Sequence, residues 1–184
     1  QGYLNYERSF GSHNVSGMLL YNQDDYNTNV NSSLIASLPK RKMGVAARLS
    51  YDYDHRYMLE VNAGYNGSES FAKGHRWGLF PSVALAWKLN EESFLKNVNA
   101  ISDLKLRLGY GVTGQQNLGN GDYPYMARYM YSKAGANYYF GDTEYSLIAP
   151  QPYDQNLKWE ETTTWNVGID YGFLNGRITG TIDY

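Results

Sequence analysis

The feature that most constrains this sequence is a repeated alternation of apolar with small or polar residues along long segments. In the first clear run, Val45, Ala47 and Leu49 alternate with Ala46 and Arg48. The same period of two recurs at 57–65, 79–89, 104–112, 165–173 and 178–184. A period of two predicts β-strands with one apolar face. With two weaker segments at 2–7 and 15–21, we expect about eight strands.

The predicted strands are long, and the connections between them alternate in length. Most approach the ~9–11 residues that cross a bilayer at a tilt, against ~5–6 in soluble sheets. Tight turns are predicted at 8–13, at 54–56 and at 174–176, where Asn175-Gly176 suits the positive φ of a hairpin. Longer connections are predicted at 22–41, 66–76 and 114–157, and the one helix-like stretch, 90–98, lies in an intermediate connection. This alternation is typical of an outer-membrane barrel with short periplasmic turns and long extracellular loops.

Composition narrows the choice of protein class. The 184 residues carry a net charge of −2, which argues against a nucleic-acid-binding protein. The absence of Cys excludes a disulfide scaffold and a Cys-ligated zinc site. No apolar run reaches the ~18–20 residues of a membrane-spanning helix. An all-β fold, either in water or as a transmembrane barrel, is what remains.

The chain is rich in aromatic residues, with 19 Tyr. Several of the aromatic residues lie near the predicted strand ends on the apolar parity. Rings in such positions form the two girdles that mark the interfaces of a transmembrane barrel. We predict a lipid-facing girdle of Tyr51, Tyr53, Tyr57, Trp87, Tyr171 and Phe173 at the end with the 54–56 turn, and of Tyr110 and Trp159, with Tyr65, at the other end. We therefore predict an all-β, antiparallel transmembrane β-barrel. A soluble, carbohydrate-binding β-sandwich also alternates and stays an alternative.

The opposite parity carries small, polar and charged side chains, as a wet or plugged lumen requires. The charged residues predicted to face this lumen are Arg48, Glu60, Lys105, Arg107 and Asp170. There they would meet a plug or a moving substrate. The alternative is that they pair with each other across neighbouring strands.

The connection at 114–157 is rich in tyrosine. Exposed Tyr rings can stack on sugars and donate a hydrogen bond, and a connection of this length is usually functional or disordered. The side chains predicted to contact a ligand or a lid are Tyr123, Tyr125, Tyr129, Tyr131, Tyr138, Tyr139 and Tyr145. The alternative is that these rings pack the connection against itself or its neighbours.

The sequence shows no pattern of residues for catalysis, a metal or a cofactor. His13, His55 and His75 are scattered, without partners at metal-ligand spacing. Glu160 and Glu161 are adjacent on a strand and so point to opposite faces, which excludes a carboxylate pair between them. We therefore expect a protein that is not an enzyme.

Five segments together resemble the SusC/RagA-type TonB-dependent transporters of Bacteroidetes outer membranes. Residues 76–83 read RWGLFPSV, 101–107 read ISDLKLR, 109–117 read GYGVTGQQN, 156–163 read NLKWEETT and 173–184 read FLNGRITGTIDY. The positions that carry the match are Arg76, Trp77, Gly78, Pro81, Asp103, Lys105, Gly111, Thr113, Gly114, Lys158, Trp159 and Glu160. One departure lies at Gln115-Gln116, where the family more commonly has Asn-Gln.

The resemblance implies an active importer of oligosaccharides, peptides or similar large nutrients. It implies energy from TonB, a SusD-like lipoprotein as lid, and contact with outer-membrane lipid. Such transporters have ~22 strands, so residues 1–184 are expected to be a partial barrel domain, without the plug domain and the TonB box. The rest of the barrel and the plug would then be partners of this segment. A complete small eight-stranded barrel is the main alternative.

Overall fold

Long antiparallel strands dominate the computed structural model, which describes residues 1–27, 37–96, 98–117, 123–131, 137–146 and 148–184. In these residues the strands are β1 (Gly2–Phe10), β2 (His13–Tyr26), β3 (Lys40–Tyr53), β4 (Tyr57–Ser68), β5 (Trp77–Lys88), β6 (Ile101–Gln115), β7 (Arg128–Tyr131), β8 (Asn137–Phe140), β9 (Thr143–Ser146), β10 (Ile148–Gln151), β11 (Glu160–Phe173) and β12 (Ile178–Asp183). Eight of them form one sheet in the order β1-β2-β3-β4-β5-β6-β11-β12. The short strands pair as β7 with β10 and β8 with β9, within the connection between β6 and β11. The all-β prediction of about eight long strands is confirmed.

The register places the apolar parity of every long strand on one face of the sheet. Leu49 lies opposite Val61, Val61 opposite Val83, and Val83 opposite Tyr110, which in turn lies opposite Trp165. Because successive side chains of a strand point to opposite faces, the small and charged residues share the other side. We call these sides the apolar face and the polar face.

The two ends of the sheet differ as the sequence predicts. At one end, here named the short-turn end, the turns at 11–12, 54–56 and 174–177 lie beside the 89–100 connection. Backbone hydrogen bonds join them: Asp54 N donates to Ser12 O at 2.7 Å and Leu174 N to Ala100 O at 3.0 Å. At the opposite end, named the long-connection end, β2 ends and β3 begins, β4 ends and β5 begins, and β6 ends and β11 begins. In the sequence, the connections between these strand ends are 27–39, 69–76 and 116–159.

Within the part of the chain that the structure describes, no second layer covers the apolar face. Its side chains include Leu79, 58% exposed, Ile182, 63% exposed, and Trp165, 74% exposed. The accessible surface of 13376 Å² compares with about 9,000 Å² for a compact monomer of this mass. Among the described residues, Phe71 and Tyr123 are the buried hydrophobic ones. A β-sandwich buries this face between two sheets, so that alternative is wrong.

The outer strands leave the sheet open. Within the described ranges, β1 pairs only with β2 and β12 only with β11, so these eight strands do not close into a small barrel. They form a segment of a barrel wall.

In its described residues, the helix-like stretch at 90–98 consists of single turns: a 3₁₀ turn over Leu89–Glu91, and a turn in which Lys96 N donates to Glu92 O at 2.8 Å. The Asn90 side chain accepts a hydrogen bond from Leu104 N at 3.2 Å, which ties the connection to β6. In the described part of the chain, no helix has the length and apolarity needed to span a membrane.

Candidate functional site

The polar face forms a hollow with a volume of 690 Å³. Seven strands line it, from Glu7 on β1 through Ser50 and Glu60 in the middle to Arg107 and Asn166 on β6 and β11. A single hollow can contact so many neighbouring strands only if the sheet curves towards that side. The polar face is therefore the concave one.

The first group of charged residues on the polar face spans β3 and β4. Arg48 Nε donates to the Asn62 side-chain oxygen at 2.9 Å and lies 3.9 Å from a Glu60 oxygen. Asn62 donates in turn to Glu60 at 2.8 Å, and Ser50 donates to the same carboxylate at 3.4 Å. The Asn62 amide thus links the Arg48 guanidinium to the Glu60 carboxylate by two hydrogen bonds.

The second group spans β6, β11 and β12. Arg107 Nη2 lies 3.0 Å from Asp170 Oδ1 and 2.8 Å from Asp183 Oδ1. Lys105 Nζ lies 3.9 Å from the second oxygen of Asp170. A Cβ at Gly168 would lie 2.8 Å from Arg107 Nη2, so this glycine leaves the room that the guanidinium occupies.

All five charged residues predicted for the polar parity, Arg48, Glu60, Lys105, Arg107 and Asp170, therefore lie on one face and pair across strands. This is the arrangement that the alternative interpretation described. Small residues of β5 separate the two groups, since Ala84 is opposite Glu60 and Ala86 is opposite Arg107. The face presents paired charges of both signs. Their contact with a lumen stays a prediction.

Aromatic rings follow the apolar face at the short-turn end. Tyr53 stacks on Tyr57 at 6.3 Å between ring centroids, and Tyr57 stacks on Trp87 at 6.2 Å. Tyr171 and Phe173 are 5.7 Å apart, and the Tyr51 hydroxyl lies 2.8 Å from His13 Nδ1. The rings predicted for this end of the girdle thus form neighbouring pairs. Their contact with lipid is a proposal.

A carboxylate that the sequence interpretation missed holds part of this row. The Tyr57 hydroxyl donates to Glu92 Oε1 at 2.5 Å, and the Trp87 indole donates to the same oxygen at 3.1 Å. Arg56 Nη1 lies 3.9 Å from the other oxygen. The Tyr57 hydroxyl, the indole and the guanidinium together lower the pKa of the Glu92 carboxyl from its ordinary value. The alternation gave no signal for Glu92, because the residue lies in a connection.

Two rings predicted for the opposite girdle, Tyr65 and Tyr110, lie on the apolar face. Tyr65 stacks on Trp77 at 4.7 Å, near the long-connection end. Tyr110 pairs with Trp165 at 4.6 Å between rings. Their contact with lipid is a proposal. Trp77 and Trp165 are not among the predicted girdle residues. Both lie at odd positions, as do the apolar residues of β5 and β11, so counting along the strands could have placed these rings on the apolar face.

Trp159 is a correction to the predicted girdle. Its ring packs on Phe80 and Phe71, each at 5.2 Å between centroids, and a Cβ at Gly78 would lie 3.1 Å from it. Phe80 and Gly78 belong to the polar parity of β5, so Trp159 lies on the polar side. The parity count fails because β11 begins at Glu160, and alternation holds only within a paired strand.

The Tyr-rich connection holds both buried and exposed rings. Tyr123 is 5% exposed and its hydroxyl donates to Pro39 O, so this ring packs two connections together and is a correction to its predicted ligand contact. Tyr125 lies edge-on to it at 6.2 Å. Tyr139 is 62% exposed at the β8–β9 hairpin and stays a candidate. The side chains of the other four, Tyr129, Tyr131, Tyr138 and Tyr145, lie outside the described part of the structure.

The residues that carried the family resemblance occupy both ends of the sheet. Arg76, Trp77, Gly78, Gly114 and Trp159 lie at the long-connection end, where Lys158 and Glu160 also lie beside Trp159. Asp103 lies near the short-turn end, opposite Gly172. Between them, Gly111 pairs with Ser82 and Thr113 with Thr162, while Pro81 pairs with Ala63 and Lys105 with Asp170.

Comparisons with known proteins agree with this geometry. The family model "TonB dependent receptor-like, beta-barrel" matches residues 1–184. TonB-dependent receptor SusC of Bacteroides thetaiotaomicron is 48% identical over 163 residues, which cover 89% of this chain and 16% of SusC. TonB-dependent receptor P39 of Formosa agariphila is 31% identical, over 89% of this chain and 14% of that protein.

Solved structures show the same fold. The structure of the RagAB peptide transporter has a TM-score of 0.76 at 20% identity, over 98% of this chain and 22% of that chain. The RagAB peptide importer in its "open-open" state gives the same values. The chain thus spans less than a quarter of the length of each of these relatives. Since the family model covers all 184 residues, the chain belongs to the TonB-dependent receptor-like β-barrel family.

Proposed function

We propose that this chain is one sector of the wall of an outer-membrane importer for oligosaccharides, peptides or similar large nutrients. The observation that carries the proposal is the uncovered apolar face. Leu49, Val61, Val83 and Leu85 form a continuous apolar patch across three strands, and each is at least about a third exposed. A patch of this kind needs an apolar environment, and the acyl chains of a bilayer supply one.

The concave polar face is the complementary half of the proposal. In a closed barrel it would line the lumen, where the paired charges of Arg107 with Asp170 and of Arg48 with Glu60 present hydrogen-bonding groups without a net field of one sign. Such a wall suits large neutral or zwitterionic solutes better than small ions of one charge. It would also contact a plug domain.

Similarity to known proteins supports the proposed partners. SusC and P39 are TonB-dependent receptors by name, which supports coupling of this protein to TonB. RagAB is a peptide transporter, which keeps peptides beside oligosaccharides as candidate substrates. We propose a SusD-like lipoprotein as the lid over the long-connection end, with the exposed Tyr139 of the β8–β9 hairpin as a contact for the lid or for the substrate.

Epitope insertion tests the membrane orientation. A tag at Gly141, the hairpin turn between β8 and β9, should bind antibody on intact cells that express the full-length polypeptide. A tag at Gly176, in the turn between β11 and β12, should bind antibody only after the outer membrane is permeabilised. Both turns have glycine at positive φ, so they are matched sites for insertion. Recovery of the protein in the soluble fraction, or equal labelling of both tags on intact cells, would contradict the proposal.

Deletion of the gene tests the transport activity. We expect loss of growth on an oligosaccharide or a peptide mixture as sole nutrient, and normal growth on the corresponding monomers. Growth of the deletion strain on every oligomer tested would reject import of these classes.

The intact mass of the native polypeptide should exceed that of these 184 residues several-fold.

A further inference from the structure

Three aromatic rings meet where two strands of the sheet separate. The ladder between β5 and β6 runs only from Lys88–Lys105 to Ser82–Gly111. Beyond that point β5 stays paired with β4 as far as Trp77, and β6 stays paired with β11 as far as Gln115. The β5 residue next to Ser82 on the side of the long-connection end is Pro81. Proline has no N–H to donate to a ladder. The sheet therefore has a split at its long-connection end.

The Phe80 side chain occupies this split. A Cβ at Gly114 of β6 or at Gly78 of β5 would overlap the Phe80 ring, so both glycines leave the space into which the ring fits. Any larger residue at either position would displace the ring. Phe80 thus bridges the two strands where their backbones no longer pair.

Trp159 completes the cluster and joins two connections. Its indole Nε1 donates to Arg76 O at 3.0 Å, and its ring contacts Phe80 on one side and Phe71 on the other. Phe71 is fully buried, and its carbonyl accepts a hydrogen bond from Arg76 Nε at 3.2 Å. The end of the 116–159 connection and the whole 69–76 connection therefore share one packed unit.

We propose that Trp159 is a positioning residue that couples the 69–76 connection to the 116–159 connection. The coupling sets the position of the Tyr-rich connection relative to the wall. It holds whether or not a solute is bound, and its consequence for substrate affinity rests on the proposed import function. Since coupling between two sites is reciprocal, loosening either connection should loosen the other.

Limited trypsin digestion of the full-length protein in detergent measures this coupling. Lys73 in the first connection and Lys158 next to Trp159 are both exposed. In Trp159→Ala, cleavage after Lys73 should accelerate at least about fivefold. In Phe71→Ala, cleavage after Lys158 should accelerate by a similar factor. Unchanged cleavage after Lys73 in Trp159→Ala would overturn the proposal.

Two further variants separate coupling from general misfolding. Trp165→Ala removes an exposed indole from the apolar face and should leave both cleavage rates unchanged. Gly114→Ala introduces a Cβ into the space of the Phe80 ring and should accelerate cleavage after Lys73 without touching Trp159. A heat-dependent gel shift confirms that each variant is a folded barrel. Equal acceleration in Trp165→Ala would overturn the proposal, because the effect would then be unspecific.

Uptake kinetics supply the functional readout. Trp159→Ala should raise the half-saturating concentration of the transported oligomer about fivefold or more, with the maximal rate per folded transporter retained. Trp159→Phe keeps the ring contacts and should recover most of the affinity. A merely structural residue would lower the amount of folded protein and leave the half-saturating concentration unchanged. If the wild-type protein transports no oligomer, the import function fails, and trypsin digestion alone decides the coupling.

Discussion

The two faces of the sheet belong to the same strands but are stabilised in different ways. On the apolar face, Leu85 is nearly half exposed and Val83 and Val61 about a third, with no covering layer among the described residues. On the polar face, one residue away, Ala84 lies opposite Glu60, whose carboxylate pairs with Arg48 of the next strand. The first face is stable only against a partner of low polarity. The second is stabilised from within the wall and can face water.

The largest predicted effect tests the apolar face directly. Leu85→Arg places a guanidinium near the middle of the apolar face and should destabilise the protein folded in a bilayer by ~2–4 kcal/mol. Ala84→Arg places the same group on the polar face opposite Glu60, where a carboxylate can pair with it, and should cost much less. Folding into lipid vesicles from denaturant, with the full-length polypeptide, measures both.

The pair of variants also decides which face contacts lipid. Val61→Arg, on the neighbouring strand and level with Val83, should behave like Leu85→Arg. Equal destabilisation by Ala84→Arg and Leu85→Arg would contradict the assignment of the faces. A larger cost for Ala84→Arg would reverse it.

A smaller effect is expected from the charged group on the polar face. Asp170→Asn removes the carboxylate that Arg107 and Lys105 share, and leaves Arg107 with Asp183. Because these side chains are about a quarter to a third exposed, water screens them, and the loss should be about 1 kcal/mol or less. The loss should shrink at high salt. Denaturant midpoints at low and high salt measure it, and a loss that does not depend on salt would point to packing instead.

Local alternation predicts the faces because the pleat is a local property of a paired strand. The positions of Arg107, Asp170 and Leu85 therefore follow from counting residues. Trp159 does not, because it precedes β11 and is held by rings from two other segments. Counting cannot foresee that β5 and β6 separate beyond Ser82, which is what makes room for the cluster.

The Tyr-rich connection shows the same limit. Composition indicates a surface rich in rings, and Tyr139 is indeed exposed. Tyr123 is of the same residue type in the same segment, yet it is buried against Pro39. Which ring packs and which is presented depends on contacts with another connection, and residue type carries no information about that.

The smallest predicted effect on stability comes from Glu92, which lies beside the aromatic rings of the apolar face at the short-turn end. Glu92 accepts hydrogen bonds from Tyr57 and Trp87, and with Arg56 nearby its pKa is lowered in the folded protein. A lowered pKa means that the folded state favours the carboxylate, so its stabilising contribution is complete above the ordinary glutamate value of ~4.3 and is lost as the pH falls through the lower folded value. Glu92→Gln keeps an acceptor oxygen but no charge. The variant should therefore be slightly less stable than the wild type at neutral pH, and the difference should shrink as the pH falls below the ordinary glutamate value and through the lowered folded pKa, as measured by the temperature of the heat-dependent gel shift. A difference that persists unchanged in acid would show that the two rings need the shape of this side chain and not its charge.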